Sequence, residues 1–411
     1  MSTHPITEHN TKIAGAVLPW ISLEELSDKA KDQLAQPRKR GVKRIACLYY
    51  GGTAFMHYVP VLKDGKPVFD SKGQPKRELV PTDDPTVMLK PLYDKALLDK
   101  VEIVWVRATS DAIDSVNGRW AHWVSIGNCS KLLYDHVDGF VVIGGTDTMA
   151  FLMAAIWFMF PNFGKPLIGC GAQVTIEDLG DDATRNFYFA ILAACADISG
   201  AHLAFNQDLM HGLHVFKVRA QGFDAFTSPT RFIIGGYDGE LRLNGNEPKR
   251  NGLVTGKRLI YRPYFLEGIK VVELTPATPS KSIIYDSMDS DCFALLLRTF
   301  GAGNVRNKGI YASELTQVEA IQKVHQRGYP VILGSPMMDG RVESPYATGA
   351  AVSPEIGGIS GGDTCGPTLH VKAMVCGYHA WDHNNDRLDY DKFRRLMYED
   401  HVGELTMSMA A

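Results

Sequence analysis

Short apolar runs alternate with longer apolar or amphipathic stretches over most of this chain. The short runs have the length of strands and end in glycine or polar residues, whereas the stretches between them have the length of helices. Strands that alternate with helices are typical of βαβ units, so the pattern predicts an α/β fold with a mainly parallel sheet. The predicted strands are residues 45–50, 101–106, 139–143 and 165–170, and the predicted helices are residues 119–126, 149–160 and 187–196.

A second set of such elements follows, with strands at 295–300 and 330–333 and a helix at 314–327. The stretch 233–258 before it is rich in Gly, Asn, Lys and Arg and carries two Asn-Gly steps, which predicts a hairpin and a linker. We therefore expect two α/β domains, of which the N-terminal one is larger. The predicted divisions are a polar N-terminal extension (1–43), the N-terminal domain (44–245), a linker (246–267) and the C-terminal domain (268–411).

The composition is that of a globular protein, since 45% of the 411 residues are hydrophobic and 22% are charged. Lys and Arg number 43 and Asp and Glu number 46, so a net charge of −3 predicts neither a nucleic-acid nor a membrane partner. The longest apolar run, 149–161, is shorter than the ~20 residues of a membrane span. The seven cysteines form no CxxC pair and the N-terminus shows no signal-peptide pattern, which indicates reduced thiols and a cytoplasmic protein.

Polar residues follow two of the predicted strands, at the edge where parallel sheets bind ligands. Thr53 follows one Gly-Gly pair, and Thr146 and Asp147 follow another. Paired glycines let a ligand approach the backbone, and the start of a helix favours a bound anion. Each residue also has a structural explanation, since Thr53 can close a turn and Thr146 or Asp147 can cap a helix.

No metal site is predicted, because no partner set at ligand spacing accompanies His211 and His214. The chain also lacks a GxxxxGK[ST] phosphate loop, a GxSxG elbow and an HExxH motif. These absences leave the two Gly-Gly-Thr turns as the main chemical signal.

The order of short motifs resembles that of the L-asparaginase family, in particular its bacterial type I, cytoplasmic branch. Residues 50–54 (YGGTA) resemble the family's TGGTI motif, and residues 144–149 (GGTDTM) resemble its HGTDTM motif. The resemblance extends over about residues 44–407. Further matching segments are DSVN at 114–117, GKPLI at 164–168, GAQ at 171–173, Asp182 with Asn186, GFDAF at 222–226, GAGN at 301–304, YATG at 346–349 and GELT at 403–406.

This resemblance implies a two-domain α/β fold with both threonine motifs in the larger N-terminal domain. It implies a cofactor-free amidohydrolase that converts the small-molecule amide L-asparagine to L-aspartate and ammonia. Family members are homodimers or homotetramers with active sites near a subunit contact, which makes Asn304 a candidate contributor to a neighbouring subunit's site.

The resemblance also assigns catalytic roles. Thr53 would attack the amide carbon to form a β-aspartyl ester, and Tyr58 would accept its proton. Thr146, Asp147 and Lys165 would form a second catalytic group, in which the lysine amine lies beside the Thr146 hydroxyl. Which threonine attacks first stays open.

Substrate recognition requires partners of opposite charge for the α-carboxylate and the α-ammonium of a free amino acid. Ser115 and backbone amides suit the carboxylate, and Asp147 suits the ammonium. The other predicted substrate-binding residues are Gly52, Asp114, Gly145, Thr146, Gln173 and Asn304.

Departures from the family pattern leave alternatives open. Gly144 stands where the family usually has histidine, and the room left there is expected to admit glutamine or another small amide. The loop between Thr53 and Tyr58 is shorter than usual and a polar stretch, 64–76, follows it, so a catalytically impaired amino-acid sensor is a third interpretation. The weaker candidates for the proton acceptor are Tyr49, Tyr50 and Tyr93.

Overall fold

The computed structural model describes residues 13–14, 26, 28–81, 100–109, 112–248, 258–342 and 351–406. The chain divides into two compact units: Val17–Tyr261, and Arg262–Ala411 together with Met1–Ala16. One point of division, between Tyr261 and Arg262, falls inside residues 246–267, the stretch predicted as a linker. The other, between Ala16 and Val17, falls inside residues 1–43, the stretch predicted as an N-terminal extension.

The described residues form the strands β1 (Ile13–Ala14), β2 (Lys43–Tyr49), β3 (Met56–Pro60), β4 (Leu62–Lys63), β5 (Lys66–Pro67), β6 (Arg77–Pro81), β7 (Val101–Arg107), β8 (Gly139–Ile143), β9 (Pro166–Cys170), β10 (Gly200–Phe205), β11 (Asp208–His211), β12 (Phe216–Lys217), β13 (Phe226–Thr227), β14 (Ile233–Tyr237), β15 (Leu241–Leu243), β16 (Phe265–Leu266), β17 (Ile269–Glu273), β18 (Ala294–Arg298), β19 (Val331–Gly334), β20 (Ile359–Ser360), β21 (Trp381–Asp382) and β22 (Arg387–Leu388). They also form the helices α1 (Asp28–Ala35), α2 (Trp120–Leu133), α3 (Thr146–Met159), α4 (Ala183–Cys195), α5 (Ser280–Asp286), α6 (Gln317–His325), α7 (Gly366–Ala380) and α8 (Tyr390–Tyr398).

An eight-stranded sheet forms the centre of the unit Val17–Tyr261, in the order β15-β14-β11-β10-β9-β8-β2-β7. The strands from β10 to β7 in this order are parallel, and β11, β14 and β15 are antiparallel to their neighbours. Every residue of β8 and β9 is buried, as expected for parallel strands covered on both faces. The predicted α/β fold with a mainly parallel sheet is confirmed, and the strand predicted at 139–143 has the observed bounds.

Helix α3 accounts for the longest apolar run of the sequence. It is buried around most of its circumference and packs against β10 and a helical turn at Gly212–His214. A helix that is apolar on all sides is typical of a core position in a large domain. Among the described residues, none of the helices combines the length and the apolar character that crossing a membrane would need.

The register of the sheet brings three strand ends to one edge. Tyr49, at the end of β2, lies opposite Ile143 at the end of β8, and Ile143 lies opposite Cys170 at the end of β9. The residues that follow these strands, including both Gly-Gly-Thr turns, therefore meet at this edge. A five-residue strand is about 16 Å long. Residues that precede such a strand therefore lie at the opposite edge of the sheet from the residues that follow it.

Four parallel strands, in the order β17-β18-β19-β20, form the main sheet of the unit Arg262–Ala411. The strands predicted at 295–300 and 330–333 are confirmed. The helix predicted at 314–327 is shorter, because Thr316 caps it: the Thr316 hydroxyl accepts a hydrogen bond from the Glu319 amide, and the Glu319 carboxylate accepts one from the Thr316 amide.

Antiparallel hairpins supply the remaining elements near the threonine turns. The hairpin predicted within 233–258 is formed by β14 and β15, although its turn is at residues 238–240 rather than at an Asn-Gly step. Directly after Thr53, β3 pairs with β6 and β4 pairs with β5. The polar stretch 64–76 is thus part of an antiparallel ribbon that continues from the first threonine turn.

Candidate active site

The two Gly-Gly turns are in direct backbone contact. Gly52 has a φ of 96°, and a Cβ atom added to it would lie 2.2 Å from the backbone nitrogen of Gly145 and 2.4 Å from the carbonyl carbon of Gly144. Only glycine fits a position that combines a positive φ with such a close approach. This contact places Thr53, which follows Gly52, beside the turn that carries Thr146.

Ser115 joins the two turns from a third segment. It begins a helical turn at Ser115–Asn117, and it is 2% exposed. A Cβ added to Gly145 would lie 2.4 Å from the Ser115 hydroxyl oxygen, and the Thr148 hydroxyl donates a hydrogen bond of 3.2 Å to the Ser115 carbonyl. The predicted substrate-binding segment therefore reaches the site. Within it, the Asp114 carboxylate accepts a hydrogen bond from the Val116 amide and caps the turn.

Thr146 and Asp147 are the first two residues of α3, after Gly145 as the N-cap. Thr146 is 6% exposed, whereas the Asp147 side chain is 52% exposed. The first amides of a helix have no partner within the helix, and the helix dipole adds positive potential there. The location suits a carboxylate or a developing oxyanion beside the Thr146 hydroxyl.

Lys217 binds both Thr146 and Asp147, although it is not among the residues predicted from the sequence. Its Nζ donates hydrogen bonds of 2.7 Å to the Thr146 hydroxyl and 2.6 Å to a carboxylate oxygen of Asp147. Lys217 ends the two-residue strand β12, which packs against α3 and pairs with β13. The side chain of Lys217 is 17% exposed, so its charge acts on Thr146 through little solvent.

The prediction that Lys165 lies beside Thr146 is wrong. Lys165 directly precedes β9, at the edge of the sheet opposite to the threonine turns. Its Nζ donates a hydrogen bond of 2.7 Å to the carbonyl of Val137 and another to the carbonyl of Tyr134, and it lies 4.5 Å from the centre of the Tyr134 ring. Lys165 thus links the segments that precede β8 and β9, at the edge of the sheet opposite to Thr53 and Thr146.

One sequence signal points toward Lys217. It lies five positions before the GFDAF segment at 222–226 that contributes to the family resemblance. The lysine stands in a short edge strand without periodicity, however, so pattern analysis alone does not distinguish it from other lysines of the chain.

Tyr58 lies on β3, and its hydroxyl is engaged by an acidic loop. The hydroxyl donates a hydrogen bond of 3.1 Å to the Asp178 carboxylate, and the Tyr58 amide donates one of 3.1 Å to Glu177. The hydrogen bond to Asp178 raises the pKa of Tyr58 above its ordinary value. In this conformation the Tyr58 phenol keeps its proton and directs it to Asp178. The assignment of Tyr58 as the acceptor of the Thr53 hydroxyl proton therefore stays a prediction.

The room expected beside Gly144 is filled by Tyr50. A Cβ added to Gly144 would lie 2.0 Å from Cε1 and 2.5 Å from Oη of the Tyr50 ring. The expectation of open space at Gly144 is therefore wrong. Burial also raises the pKa of the Tyr50 phenol, which disfavours Tyr50 as a base. Tyr49 is buried as well, and Tyr93 lies outside the described residues.

Gln173 follows β9 at the same edge as the threonine turns. Its amide donates hydrogen bonds of 3.0 and 3.1 Å to the carboxylate of Asp182, which is 1% exposed and also accepts one from Asn186. The side-chain nitrogen of Gln173 is buried and makes no hydrogen bond with a described residue. The backbone is therefore fixed at Gln173, while its side-chain amide has hydrogen-bonding capacity left for a ligand.

Asn304 belongs to the unit Arg262–Ala411, where its amide donates a hydrogen bond of 3.1 Å to the Phe300 carbonyl. Its predicted contribution to a neighbouring subunit's site stays a prediction. Among the residues that the structure describes, no group of three or more His, Cys, Asp or Glu side chains has the geometry of a metal site.

The site thus combines two threonine hydroxyls at adjacent turns with the ammonium of Lys217. This ammonium binds both the Thr146 hydroxyl and the Asp147 carboxylate. A hydroxyl is a weak nucleophile until a neighbouring group lowers the cost of its negative charge. An ammonium within hydrogen-bond distance does so, and free helix amides stabilise the oxyanion of the intermediate. This arrangement is suited to acyl transfer and hydrolysis.

The family described as "Asparaginase, N-terminal" matches residues 44–249. The chain is 30% identical to L-asparaginase 1 of Escherichia coli over 371 residues, which cover 89% of this chain and 98% of that protein. It is 30% identical to the 60 kDa lysophospholipase of Homo sapiens over 296 residues, which cover 71% of this chain and 48% of that protein. The crystal structure of L-asparaginase I from Vibrio cholerae is similar with a TM-score of 0.68 and 26% identity, covering 89% of this chain and 100% of that chain.

Proposed function

Since the chain belongs to the asparaginase family, we propose that it hydrolyses the side-chain amide of L-asparagine to L-aspartate and ammonia through a threonine acyl-enzyme. Homology supports an amidohydrolase in general. The observation that carries the finer proposal is the contact of the Lys217 ammonium with both Thr146 and Asp147.

The reaction divides into two steps. The Thr53 hydroxyl oxygen bonds to the amide carbon, the C–N bond breaks, and the hydroxyl proton leaves with ammonia. Water then attacks the β-aspartyl ester, which releases aspartate and restores the Thr53 hydroxyl. Thr146, held by Lys217, orients this water. The proton that the water loses goes to the Thr53 oxygen as the ester bond breaks, and the ammonium stabilises negative charge that develops nearby.

The substrate is a free amino acid in this proposal. Asp147 has one carboxylate oxygen on Lys217, and its half-exposed carboxylate is available to an α-ammonium. Ser115 and the first amides of α3 would bind the α-carboxylate. Because an asparagine within a peptide has neither charge, it would be discriminated against.

The proposal needs no cofactor, since the nucleophile and the proton carriers are side chains of the chain. A homodimer or homotetramer and a cytoplasmic location also belong to the proposal, on the strength of the family resemblance. A subunit contact would be the place for Asn304 to act.

Ammonia release from L-asparagine and from L-glutamine tests the proposal, measured for the unaltered chain and for Thr53→Ala and Thr146→Ala. We expect L-asparagine to be hydrolysed faster and each substitution to lower kcat by about 10³-fold or more. An acyl-enzyme that accumulates in Thr146→Ala but not in Thr53→Ala, detected by mass spectrometry, would identify Thr53 as the first nucleophile.

Other outcomes contradict parts of the proposal. Faster turnover of L-glutamine would change the substrate but keep the residues. Binding of L-asparagine without turnover would favour the sensor interpretation, for which the engagement of Tyr58 by Asp178 is the supporting observation. Turnover that neither threonine substitution affects would overturn the assigned site.

A further inference from the structure

We propose that the Tyr50 ring positions the two threonine turns relative to each other, and that glycine at position 144 is required because this ring occupies the adjacent space. The inference rests on the proposed function for its kinetic test, but its geometric content is independent of the substrate. Tyr50 is a positioning residue here, since no contact with reacting atoms is assigned to it.

The backbone of Tyr50 is fixed on both sides. Its amide donates a hydrogen bond of 3.2 Å to the carbonyl of Ile143, and its carbonyl accepts one of 3.0 Å from the amide of Ile113. Ile143 ends the strand before the second threonine turn, and Ile113 precedes the segment that carries Ser115. Tyr50 therefore lies where three site-forming segments meet.

The side chain of Tyr50 supplies the contact between the turns. The residue is 1% exposed, and its ring atoms Cε1 and Cζ and its hydroxyl oxygen Oη lie 2.0, 2.2 and 2.5 Å from the position of a Cβ on Gly144. Any side chain at Gly144 must therefore displace either the ring or the Gly144 backbone. Two residues after Gly144 comes Thr146, so such a displacement moves a reacting hydroxyl.

The ring rather than the hydroxyl carries this effect. The ring carbons Cε1 and Cζ are the atoms nearest to the position of a Cβ on Gly144, and Tyr50→Phe keeps both of them. Gly52 also approaches this turn, too closely to the Gly145 backbone for a Cβ atom. The second threonine turn thus contacts both the Tyr50 ring and the Gly52 backbone, and these two contacts fix Thr146 relative to Thr53.

The test compares Tyr50→Phe, Tyr50→Thr, Gly144→Ala, Gly144→His and the double variant Tyr50→Thr with Gly144→His. Misplacement of a reacting group by about 1 Å costs about 10²-fold in rate. We therefore expect Gly144→Ala and Tyr50→Thr to lower kcat by about 10- to 100-fold with little change in KM, while Tyr50→Phe, which keeps the ring, retains most of the activity.

Recovery of kcat in the double variant distinguishes a positioning role of Tyr50 from a merely structural one. In the double variant the removed ring makes room for the imidazole, so kcat should exceed that of Gly144→His by about tenfold or more. The fraction of folded protein, from near-ultraviolet circular dichroism, is determined for each variant, and kcat is expressed per folded chain. A decrease that disappears under this correction would overturn the proposal, as would unaltered kcat in Gly144→Ala.

Crystal structures make the test independent of activity. If the unaltered chain releases no ammonia, the proposed function fails, but the structure of Gly144→Ala still decides the positioning claim. A change in the distance between the hydroxyls of Thr53 and Thr146 would support the claim. Unchanged positions of both hydroxyls and of the Tyr50 ring would overturn it.

Discussion

The ammonium of Lys217 lies 2.7 Å from the hydroxyl oxygen of Thr146, across a contact between the short strand β12 and helix α3. The same ammonium binds Asp147 at 2.6 Å. Lys217 is therefore the positive charge that can lower the energy of an ionised Thr146. Lys165, the lysine that the sequence resemblance selected, occupies the opposite edge of the sheet.

The two lysines form a matched pair of substitutions. Lys217→Gln should lower kcat by about 10²-fold or more, because it removes the charge beside the Thr146 hydroxyl while keeping a hydrogen-bond donor. Lys165→Gln should change kcat little, since the Lys165 amine donates to the carbonyls of Tyr134 and Val137. Steady-state rates of ammonia release, expressed per folded chain, make the comparison. A larger loss in Lys165→Gln than in Lys217→Gln would contradict the observed site.

The sequence predicts the scaffold well because strand ends have recognisable chemistry. The buried run at 139–143 has the bounds of β8, and the polar residues after it lie at the ligand-binding edge as parallel topology requires. Thr53, Ser115 and Thr146 could be predicted as neighbours for this reason. Their proximity follows from the order of the strands and needs no knowledge of side-chain packing.

Lys217 and the Tyr50 ring could not be predicted in the same way. Lys217 belongs to a two-residue strand that tertiary packing brings to α3, about 70 positions after Thr146 in the chain. Lys165 is next to a clear strand but precedes it, and a strand carries its two ends to opposite edges. The space beside Gly144 depends on where the Tyr50 side chain packs. The sequence shows only that position 144 has no side chain, and it does not show which residue fills the space.

The acidic loop at Glu177 and Asp178 controls the phenol of Tyr58. Asp178→Asn should lower the pKa of Tyr58 toward its ordinary value, because the hydrogen bond to this carboxylate is the main cause of its increase. Glu177→Gln should lower it less, since Glu177 accepts a hydrogen bond from the Tyr58 backbone amide. Tyrosine labelled at Cζ with ¹³C, assigned with Tyr58→Phe and titrated by NMR, measures both. Equal shifts in the two variants would show that Asp178 has no special role.

Two paired histidines on adjacent strands of the main sheet, His202 on β10 and His211 on β11, predict a loss of stability in acid. Burial lowers the pKa of His202 to about 4, and burial together with His202 and His214 lowers the pKa of His211 well below its ordinary value. An unfolded histidine titrates near pH 6.5, so the unfolded chain binds more protons below that pH. The stability from neutral histidines is complete above about pH 6.5 and is lost as the pH falls toward 4.

Denaturant unfolding at several pH values checks this dependence. His202 alone should contribute a decrease of about 2 kcal/mol in the free energy of unfolding between pH 7 and pH 4.5. In His202→Gln this part of the slope should disappear, since the amide can still donate to the Ser199 carbonyl that the ring nitrogen contacts at 2.7 Å but does not titrate. An unchanged slope in His202→Gln would contradict the assignment.

The buried ion pair of Lys372 and Glu404 is the basis of a final prediction. Lys372 on α7 is 1% exposed, Glu404 is 0% exposed, and the two charges lie 2.8 Å apart. The Glu404 carboxylate also accepts hydrogen bonds from the amides of His401 and Val402, so it holds the chain that follows α8.

Lys372→Met should destabilise the unit Arg262–Ala411 by about 3–5 kcal/mol, because it leaves a buried carboxylate without its counter-charge. Adding Glu404→Gln should recover part of this loss. Arg395→Ala, which breaks the exposed pair with Glu399, should cost less than about 1 kcal/mol in the same urea titrations. If the buried and the exposed substitutions had equal effects, the pair would not stabilise this unit.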